Sequence, residues 1–358
     1  MAKTKKKEAG KVEPKKPVGL GPMATMSEVA RRAGLSRYTV SKVLNGDPTV
    51  KKSTRQKVME ACEFLHYVPN PHAVHLVRGR TRIIGLVVTS VTHPFYGEII
   101  KAAEMQANER GYQLAYRCSY SDHEKEEQIL QFFRAMGVCG ILVAPVVTDP
   151  DRSFLNHLAE SGTIVYFDRY LKKNSHYVMN DNLGSARLVT EHLLGRGTEP
   201  VYLNSLFGTY NVGLKLREEG YVQTMKKHGK KPAFIPIPKY EKGLLDNENF
   251  GYYNTLAWLK NGNKSSAIFC ATDLLALGAM KAIHDCGLKP GEDILVAGHD
   301  DQSFSSFTYP ALTTVRQPRT EIGQAAVDII IDIDQGLSAP KKYIQKTFPS
   351  KLIVRESA

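Results

Sequence analysis

Arg37, Tyr38 and Lys42 are the residues of this chain best suited to chemistry, and that chemistry is recognition rather than bond making. A guanidinium can fork onto O6 and N7 of guanine, an ammonium can reach the same base edge, and a phenol can touch a thymine methyl or a phosphate. Thr25, Ser36, Thr39 and Asn45 are short polar residues of the kind that hold phosphate oxygens, and Thr49 and Arg55 are weaker candidates for the same work.

The elements that must position these side chains are written in the same stretch, TMSEVARRAGLSRYTVSKVLNG, residues 25–46. Thr25 and Glu28 stand in the T-x-x-E relation of a capping box, which predicts a helix running to about Ala33, where Gly34 breaks it. Ser36 is placed to cap a second helix. In it Val40, Val43 and Leu44 face inward and Arg37, Tyr38, Ser41 and Lys42 face outward, and Asn45-Gly46 ends it. A third amphipathic helix, from about Ser53 to His66, offers Val58, Ala61, Cys62 and Leu65 to a three-helix core. Taken alone, two capped helices around a tight turn are either a helix-turn-helix or an ordinary helical hairpin.

Charge narrows the choice. The chain of 358 residues has a formal charge of +12, and all of the excess lies at one end. Residues 1–22 hold seven lysines against two acids, and residues 23–82 hold eleven basic against four acidic residues, while the remaining 276 balance at thirty and thirty. Basic charge confined to an N-terminal module is what meeting a polyanion requires. Residues 1–22 mix Lys with Pro and Gly and lack an apolar run, so a disordered tail is expected, either a solubilising extension or a phosphate-binding arm.

Several function classes lose support. Neither a secretory signal nor an apolar stretch of about twenty residues is present. The five cysteines, Cys62, Cys118, Cys139, Cys270 and Cys286, show no C-x-x-C spacing, so neither a disulfide framework nor a zinc site is expected and a reducing cytoplasm fits. The motifs G-x-S-x-G, G-x-x-x-x-G-K-[ST], H-E-x-x-H and G-x-G-x-x-G are missing, and His123-Glu124 in HEKEE lacks a second histidine. An α/β enzyme, a cofactor and a metal are therefore not expected.

From Arg82 onward short apolar strands alternate with helical segments: IIGLVV, QLAYRC and GILVAP in one series, then HYVMND, PVYLN, AFIPI, AIFCAT and ILVAGHD in another. That rhythm predicts parallel sheets covered by helices, and two series over about 276 residues predict two lobes with a cleft between them.

The motifs SEVARRAGLSRYTVSKVLNG, YVPNPHAVHL, RGRTRIIGLVV, HPFYGEII, VTEHLLGRG, LREEGY, TDLLALGAMKAI, GHDD and PALTTVRQP together make the chain resemble the LacI family of bacterial transcription regulators over almost its whole length. The resemblance implies a small all-α three-helix headpiece with a hinge helix, followed by an α/β core of two similar parallel-sheet lobes of the periplasmic-binding-protein-like type I. The corresponding boundaries are a tail at 1–22, a helix-turn-helix domain at 23–69, a hinge at 70–80 and a core at 81–358. The first lobe would take about 81–179 and 317–341, and the second about 180–316 and 342–358. Crossovers between lobes would fall near Tyr166 to Asp181, Thr313 to Pro318 and Gly336 to Tyr343.

The resemblance also implies functional positions. Arg37, Tyr38 and Lys42 occupy the places where members read bases. Leu76, with Ala73 beside it, would be the wedge that enters the minor groove from the hinge, although His72, His75 and Val77 are unusual there; the alternative is a leucine packed on the core. Lys51 stands where members usually have Ser, so the cap of the third helix falls on Ser53 or is lost. For the effector cleft, Arg217 in LREEGY and Asp300 in GHDD match the family's clamp. The two are expected to face each other across the cleft, where an interlobe salt bridge is the alternative reading. Asp168, Thr272, Phe95 and Tyr96 are second-line contacts, the two rings for stacking on a sugar. Asp273 is expected to cap the following helix rather than bind ligand.

A ligand-regulated repressor therefore leads. Its expected partners are double-stranded operator DNA, a second copy of the chain and a small effector, with a sugar or sugar derivative ahead of a purine or a partner protein. No leucine-heptad segment follows KLIVRES, so a dimer rather than a tetramer is expected. A sugar-binding transport or chemoreception protein of the same core fold is the alternative.

Overall fold

The computed structural model describes residues 24–44, 46–67, 81–146, 153–160, 164–171, 174–205, 211–237, 246–263, 265–337 and 343–358. Residues 1–22, Asn45, Ala73 and Leu76, with their expected roles, lie outside the described residues.

The reciprocal cap read from Thr25 and Glu28 is formed: the Thr25 N–H donates to Glu28 Oε2 at 2.7 Å and the Glu28 N–H donates back to Thr25 Oγ1 at 3.3 Å. It opens helix α1, Met26–Ala33, which Gly34 ends at φ 67. Ser36 Oγ accepts from the Thr39 N–H at 3.1 Å and opens α2, Arg37–Leu44. Helix α3, Lys52–Phe64, begins one residue earlier than expected. Lys51 stands at its cap position without a side-chain bond, so the cap is lost rather than moved to Ser53. Val29, Ala30, Val40, Val43, Val58, Ala61 and Cys62 close a core among the three helices. The described residues up to 67 form one compact unit and those from 81 onward a second.

In the second unit, a six-stranded sheet has the order β11-β5-β4-β3-β1-β2, with every neighbouring pair parallel. Its strands are β1 Ile83–Val88, β2 Gln113–Cys118, β3 Gly140–Val143, β4 Ile164–Phe167, β5 His176–Asn180 and β11 Gln345–Phe348. The run IIGLVV serves both faces of this sheet because side chains alternate along a strand. Ile84, Leu86 and Val88 pack against α4, Pro94–Glu109, and α11, Arg319–Asp334, whereas Val87 packs against α5, His123–Ala135, and α6, Ser153–Glu160.

The second lobe is a four-stranded parallel sheet of order β7-β6-β8-β9: β6 Val201–Leu203, β7 Ala233–Phe234, β8 Ala267–Cys270 and β9 Leu295–Ala297. It is covered by α7 Asn182–Gly195, α8 Val212–Lys227, α9 Asn247–Lys260 and α10 Asp273–Asp285. Helices α9 and α10 approach so closely that a Cβ on Gly278 would stand 2.0 Å from the Glu248 carbonyl and one on Gly251 would stand 2.3 Å from that of Leu275. The antiparallel pair β10, Thr314–Arg316, and β12, Lys351–Ile353, completes this lobe.

The chain passes between lobes at Asp181, at Gln317-Pro318 and at residues 349–350. The third crossing corrects the sequence reading, which placed it near Gly336 to Tyr343 and gave 342–358 wholly to the second lobe. Strand β11 instead extends the first sheet beside β5, because Gln345–Phe348 hydrogen-bonds in register with Tyr177–Asn180.

Candidate functional site

Two places bring the candidate residues together, one in each unit. In the first, α2 turns Val40 and Val43 inward and leaves Arg37 and Tyr38 exposed, Tyr38 at 70%. Lys42 shares that face, but its Nζ lies 3.2 Å from Asp47 Oδ2 and 5.5 Å from the Tyr38 ring centre. Asp47 is itself fixed, since Thr49 donates to Oδ1 from its N–H at 2.9 Å and from its hydroxyl at 2.6 Å. Those donors and the Lys42 ammonium hold the Asp47 carboxyl at about 2. Lys42 and Thr49 are therefore already partnered, and of the two cations expected to read bases Arg37 is the one without an ion pair among the described residues. Arg55 serves structure: Nη2 donates to the Asp47 carbonyl at 2.8 Å and Nη1 to that of Val43 at 3.4 Å, satisfying carbonyls where α2 ends. The Ser36 and Thr39 hydroxyls bond each other at 2.9 Å, and the Thr25 hydroxyl donates to Glu28 Oε2 at 2.9 Å.

In the second unit a cavity of about 770 Å³ opens between the lobes, where β1, β3, β4, β6, β8 and β9 end. Ligands of open parallel sheets bind in such crevices, because loops and helix N-termini converge at strand C-termini. Arg217, Asp300, Asp168, Thr272, Phe95 and Tyr96 all line it.

Arg217 and Asp300 do not face each other across the cleft. Both belong to the second lobe and form one wall: Arg217 projects from α8, Asp300 follows β9, and Nη1 stands 3.4 Å from Oδ1. Arg217 also donates from Nε to Asn182 Oδ1 at 2.8 Å and from Nη1 to the Ala271 carbonyl at 2.6 Å. Asp300 Oδ1 accepts from Gln317 Nε2 at 2.5 Å and lies 3.1 Å from His299 Nδ1. Burial by itself would raise the Asp300 carboxyl; Arg217 and His299 outweigh it and hold the group below the usual carboxylate range. Burial, with Arg217 nearby, pushes the His299 imidazole down to about 4. His299 Nδ1 faces Asp300, and its Nε2 lies 2.9 Å from the Ser185 hydroxyl, which also donates to the Asn182 carbonyl at 2.9 Å. Asp300 adopts φ 132 and Asp168 φ 65, left-handed conformations that side chains other than Gly seldom take and that gather at functional sites.

The first lobe supplies the opposite wall. Asp168 follows β4, and its Oδ2 accepts from Arg169 Nε at 3.0 Å and from the Tyr96 hydroxyl at 3.1 Å. Arg169 Nη2 donates to Tyr96 at 2.5 Å, and Thr89 donates to the same oxygen at 3.1 Å. Burial drives the Tyr96 hydroxyl well above its ordinary value, so it stays protonated. The stacking expected of Phe95 and Tyr96 is not available. Both rings are more than nine-tenths buried in the first lobe's core, 5.3 Å apart and tilted at 72°.

Thr272 and Asp273 exchange the structural part of their expected roles. Thr272 Oγ1 accepts from the Leu275 N–H at 3.3 Å and so caps α10 while lining the cavity. Asp273, expected to be the cap, instead accepts from the Gln302 N–H at 2.8 Å, the Ser305 hydroxyl at 2.7 Å and the Thr314 hydroxyl at 2.5 Å. Burial and the neighbouring Asp300 charge raise its carboxyl despite these donors.

Arg169, His299, Asn182, Gln317 and Glu248 were not singled out from sequence. His299 adjoins Asp300 in GHDD and Arg169 adjoins Asp168, so adjacency to a chosen residue was the available signal. Asn182 and Gln317 sit at or beside the crossovers expected near Tyr166 to Asp181 and Thr313 to Pro318, so proximity to those segments was their available signal. Among the described residues no group of three or more His, Cys, Asp or Glu side chains is arranged to hold a metal ion, and no helix is long and apolar enough to cross a membrane.

Compared with known proteins, residues 25–70 match the bacterial regulatory proteins of the lacI family and residues 190–358 match the periplasmic binding protein-like domain. The chain is 31% identical over 312 residues to the ribose operon repressor of Escherichia coli (strain K12), covering 86% of this chain and 92% of that protein. It is 30% identical over 342 residues to the transcriptional repressor PurR of Haemophilus influenzae (strain PittEE), covering 94% and 98%. Its fold is similar to that of the Lac repressor dimer bound to operator and the anti-inducer ONPF, with a TM-score of 0.83 and 26% identity over 94% of this chain and 99% of that one.

Proposed function

The chain belongs to the lacI family of bacterial regulatory proteins, and from that premise we propose that it is a sequence-specific DNA-binding repressor whose operator affinity is set by a small molecule in the interlobe cleft. One observation carries the reading: the same chain presents an exposed polar helix face and, in a separate compact unit, a cavity walled by a buried arginine–carboxylate pair. A transport protein of this core fold would need no DNA-reading unit. The protein acts as a regulator rather than an enzyme, in the cytoplasm.

Arg37 and Tyr38 read base edges, and Lys42 joins them once it leaves Asp47. Thr25, Ser36, Thr39, Asn45 and Thr49 hold phosphates, and Leu76 with Ala73 opens a minor-groove step from the hinge at 70–80. One such headpiece is too small a surface for specific affinity, so a homodimer binds two half-sites, with its contacts on the core. The effector is a sugar or sugar derivative acting as an inducer, held chiefly by Arg217 and Asp300. Similarity to the ribose operon repressor supports a sugar, and similarity to PurR keeps a purine as the second reading.

Mobility-shift titration of operator fragments tests the reading, with the chain lacking residues 1–79 as control. The full chain should bind one sequence far above random DNA and release it when a cleft ligand is added, and Arg217→Ala should abolish the release. Specific binding by the truncated chain, or release that survives Arg217→Ala, contradicts it.

A further inference from the structure

We propose that the cleft selects an uncharged polyhydroxy ligand over its phosphorylated form, and that Glu248 enforces the choice. The proposal rests on the reading of this cavity as the effector site.

Among the described residues six carboxylate and guanidinium side chains line the cavity, Asp168, Arg169, Arg217, Asp246, Glu248 and Asp300, together with His93, whose imidazole is pushed down by burial although the Glu248 charge acts on it in the opposite sense. Four are carboxylates and two are guanidiniums, and both cations are committed. Arg169 Nη2 lies 2.9 Å from Asp168 and Arg217 Nη1 lies 3.4 Å from Asp300, each pair sheltered from solvent. Two carboxylates remain beyond the neutral pairs. Asp246 accepts from the Asn249 N–H at 2.9 Å as the cap of α9. Glu248, in the first turn of that helix, is half-buried and makes no hydrogen bond or ion pair among the described residues. A carboxylate partly withdrawn from water without a partner is an acceptor awaiting donors, which ligand hydroxyls supply and a phosphate does not.

Helix N-termini at the cavity would ordinarily attract an anion. Four helices among the described residues begin at the cavity: the start of α9 carries Asp246 and Glu248, and those of α4, α8 and α10 are capped by the side chains of His93, Asn211 and Thr272. A phosphate entering the cleft therefore meets, among the described residues, two carboxylates beyond the paired charges, in a partly desolvated space where Coulomb repulsion is much stronger than in water, while the remaining arginine N–H groups serve hydroxyl and phosphate oxygens alike. Arg217 Nη2 and Arg169 Nη1 make no hydrogen bond among the described residues and can donate to ligand oxygens, while Glu248 accepts.

The test is calorimetric titration of the full chain with matched pairs: D-ribose and ribose 5-phosphate, and D-glucose and glucose 6-phosphate. For the sugar that binds, the phosphorylated partner should bind at least about tenfold more weakly at low salt, with the gap closing as ionic strength rises. Glu248→Gln should shrink the ratio within the pair by several-fold. Equal or tighter binding of the phosphate overturns the charge selection while leaving the effector site in place. A ratio unchanged by Glu248→Gln, with circular dichroism showing a folded variant, overturns the role of that residue. Failure of every member of both pairs to bind overturns the sugar-effector reading and this proposal with it.

Discussion

Lys42 cannot reach a base without giving up Asp47, 3.2 Å away and itself pinned by Thr49, whereas Arg37 stands exposed at the first position of α2. Arg37 should therefore carry the larger share of base discrimination. Arg37→Ala is expected to cost about 1 to 3 kcal/mol on the preferred operator and to relax preference at one base position. Fluorescence anisotropy on operator and random duplexes checks this, and equal losses on both would remove Arg37 from base reading. In the core, His299 and Asp273 pull stability in opposite directions with pH. The His299 imidazole is depressed to about 4, so between that value and its ordinary value near 6.5 the unfolded chain binds more protons and stability rises with pH. Asp273 is raised above 3.8, so over an overlapping window the folded chain binds more protons and stability falls as pH rises. Asp273→Asn removes the opposing contribution. Its stability should climb more steeply from pH 4 to 6.5 than the parent's, by up to about 1.4 kcal/mol per pH unit for one proton. Denaturant melts at several pH values decide, and parallel profiles for parent and variant contradict the assignment.

At the scale of elements, the crossing of α9 and α10 fixes the second lobe's side of the cleft. Gly278 lets the Glu248 carbonyl approach so closely that a side chain there must push α9 away, and α9 carries Asp246 and Glu248 to the cavity. Gly278→Val should cost at least about 1 to 3 kcal/mol as an overpacked contact and weaken effector binding besides. Thermal unfolding and ligand titration check the two effects separately, and a variant as stable as the parent would show that the helices can part freely. Element identity was legible in the sequence: the Thr25–Glu28 capping box, the Gly34 break and the strands IIGLVV and QLAYRC all lie where their residue patterns put them, because these signals are local. Strand β11 was not legible. QKTF is exposed over most of its length and carries no apolar alternation, and only pairing with β5 makes it a strand of the first lobe.

At the scale of the molecule, coupling between cleft and DNA requires that a ligand bind one arrangement of the lobes better than another. Two crossovers hydrogen-bond the Arg217–Asp300 wall directly, and the third is linked to it through Asn180 and Asn182. Asn182 holds Arg217, Gln317 holds Asp300, and Ser350 reaches Asn180, whose Nδ2 in turn donates to Asn182 and Ser185. A ligand on that wall therefore bears on each segment by which one lobe moves against the other. We expect saturating effector to weaken operator binding by about 5- to 150-fold, a coupling of about 1 to 3 kcal/mol, and Gln317→Ala to shrink that factor more than it weakens ligand binding. Anisotropy titrations of operator with and without ligand measure both, and a coupling unchanged in Gln317→Ala would place the path elsewhere.

The sequence by itself determined the class of each part, capped helices around Gly34, a basic N-terminal module and two α/β series, while Arg217 and Asp300 were pointed to as cleft residues by the resemblance to the lacI family. Local spacing, charge and hydrophobic period depend on neighbours along the chain, so they can be read without the fold. Tertiary structure alone decided which groups share a wall. Arg217 and Asp300 are 83 residues apart and meet in one lobe; Asp273 turns from its own helix toward Ser305 and Thr314; Lys42 is claimed by Asp47; and Glu248 is carried to the cavity without a partner among the described residues. Such pairings follow from burial and the direction of side chains across a folded core, where a charge must find a partner or shift its protonation, and no spacing along the chain encodes which partner it finds.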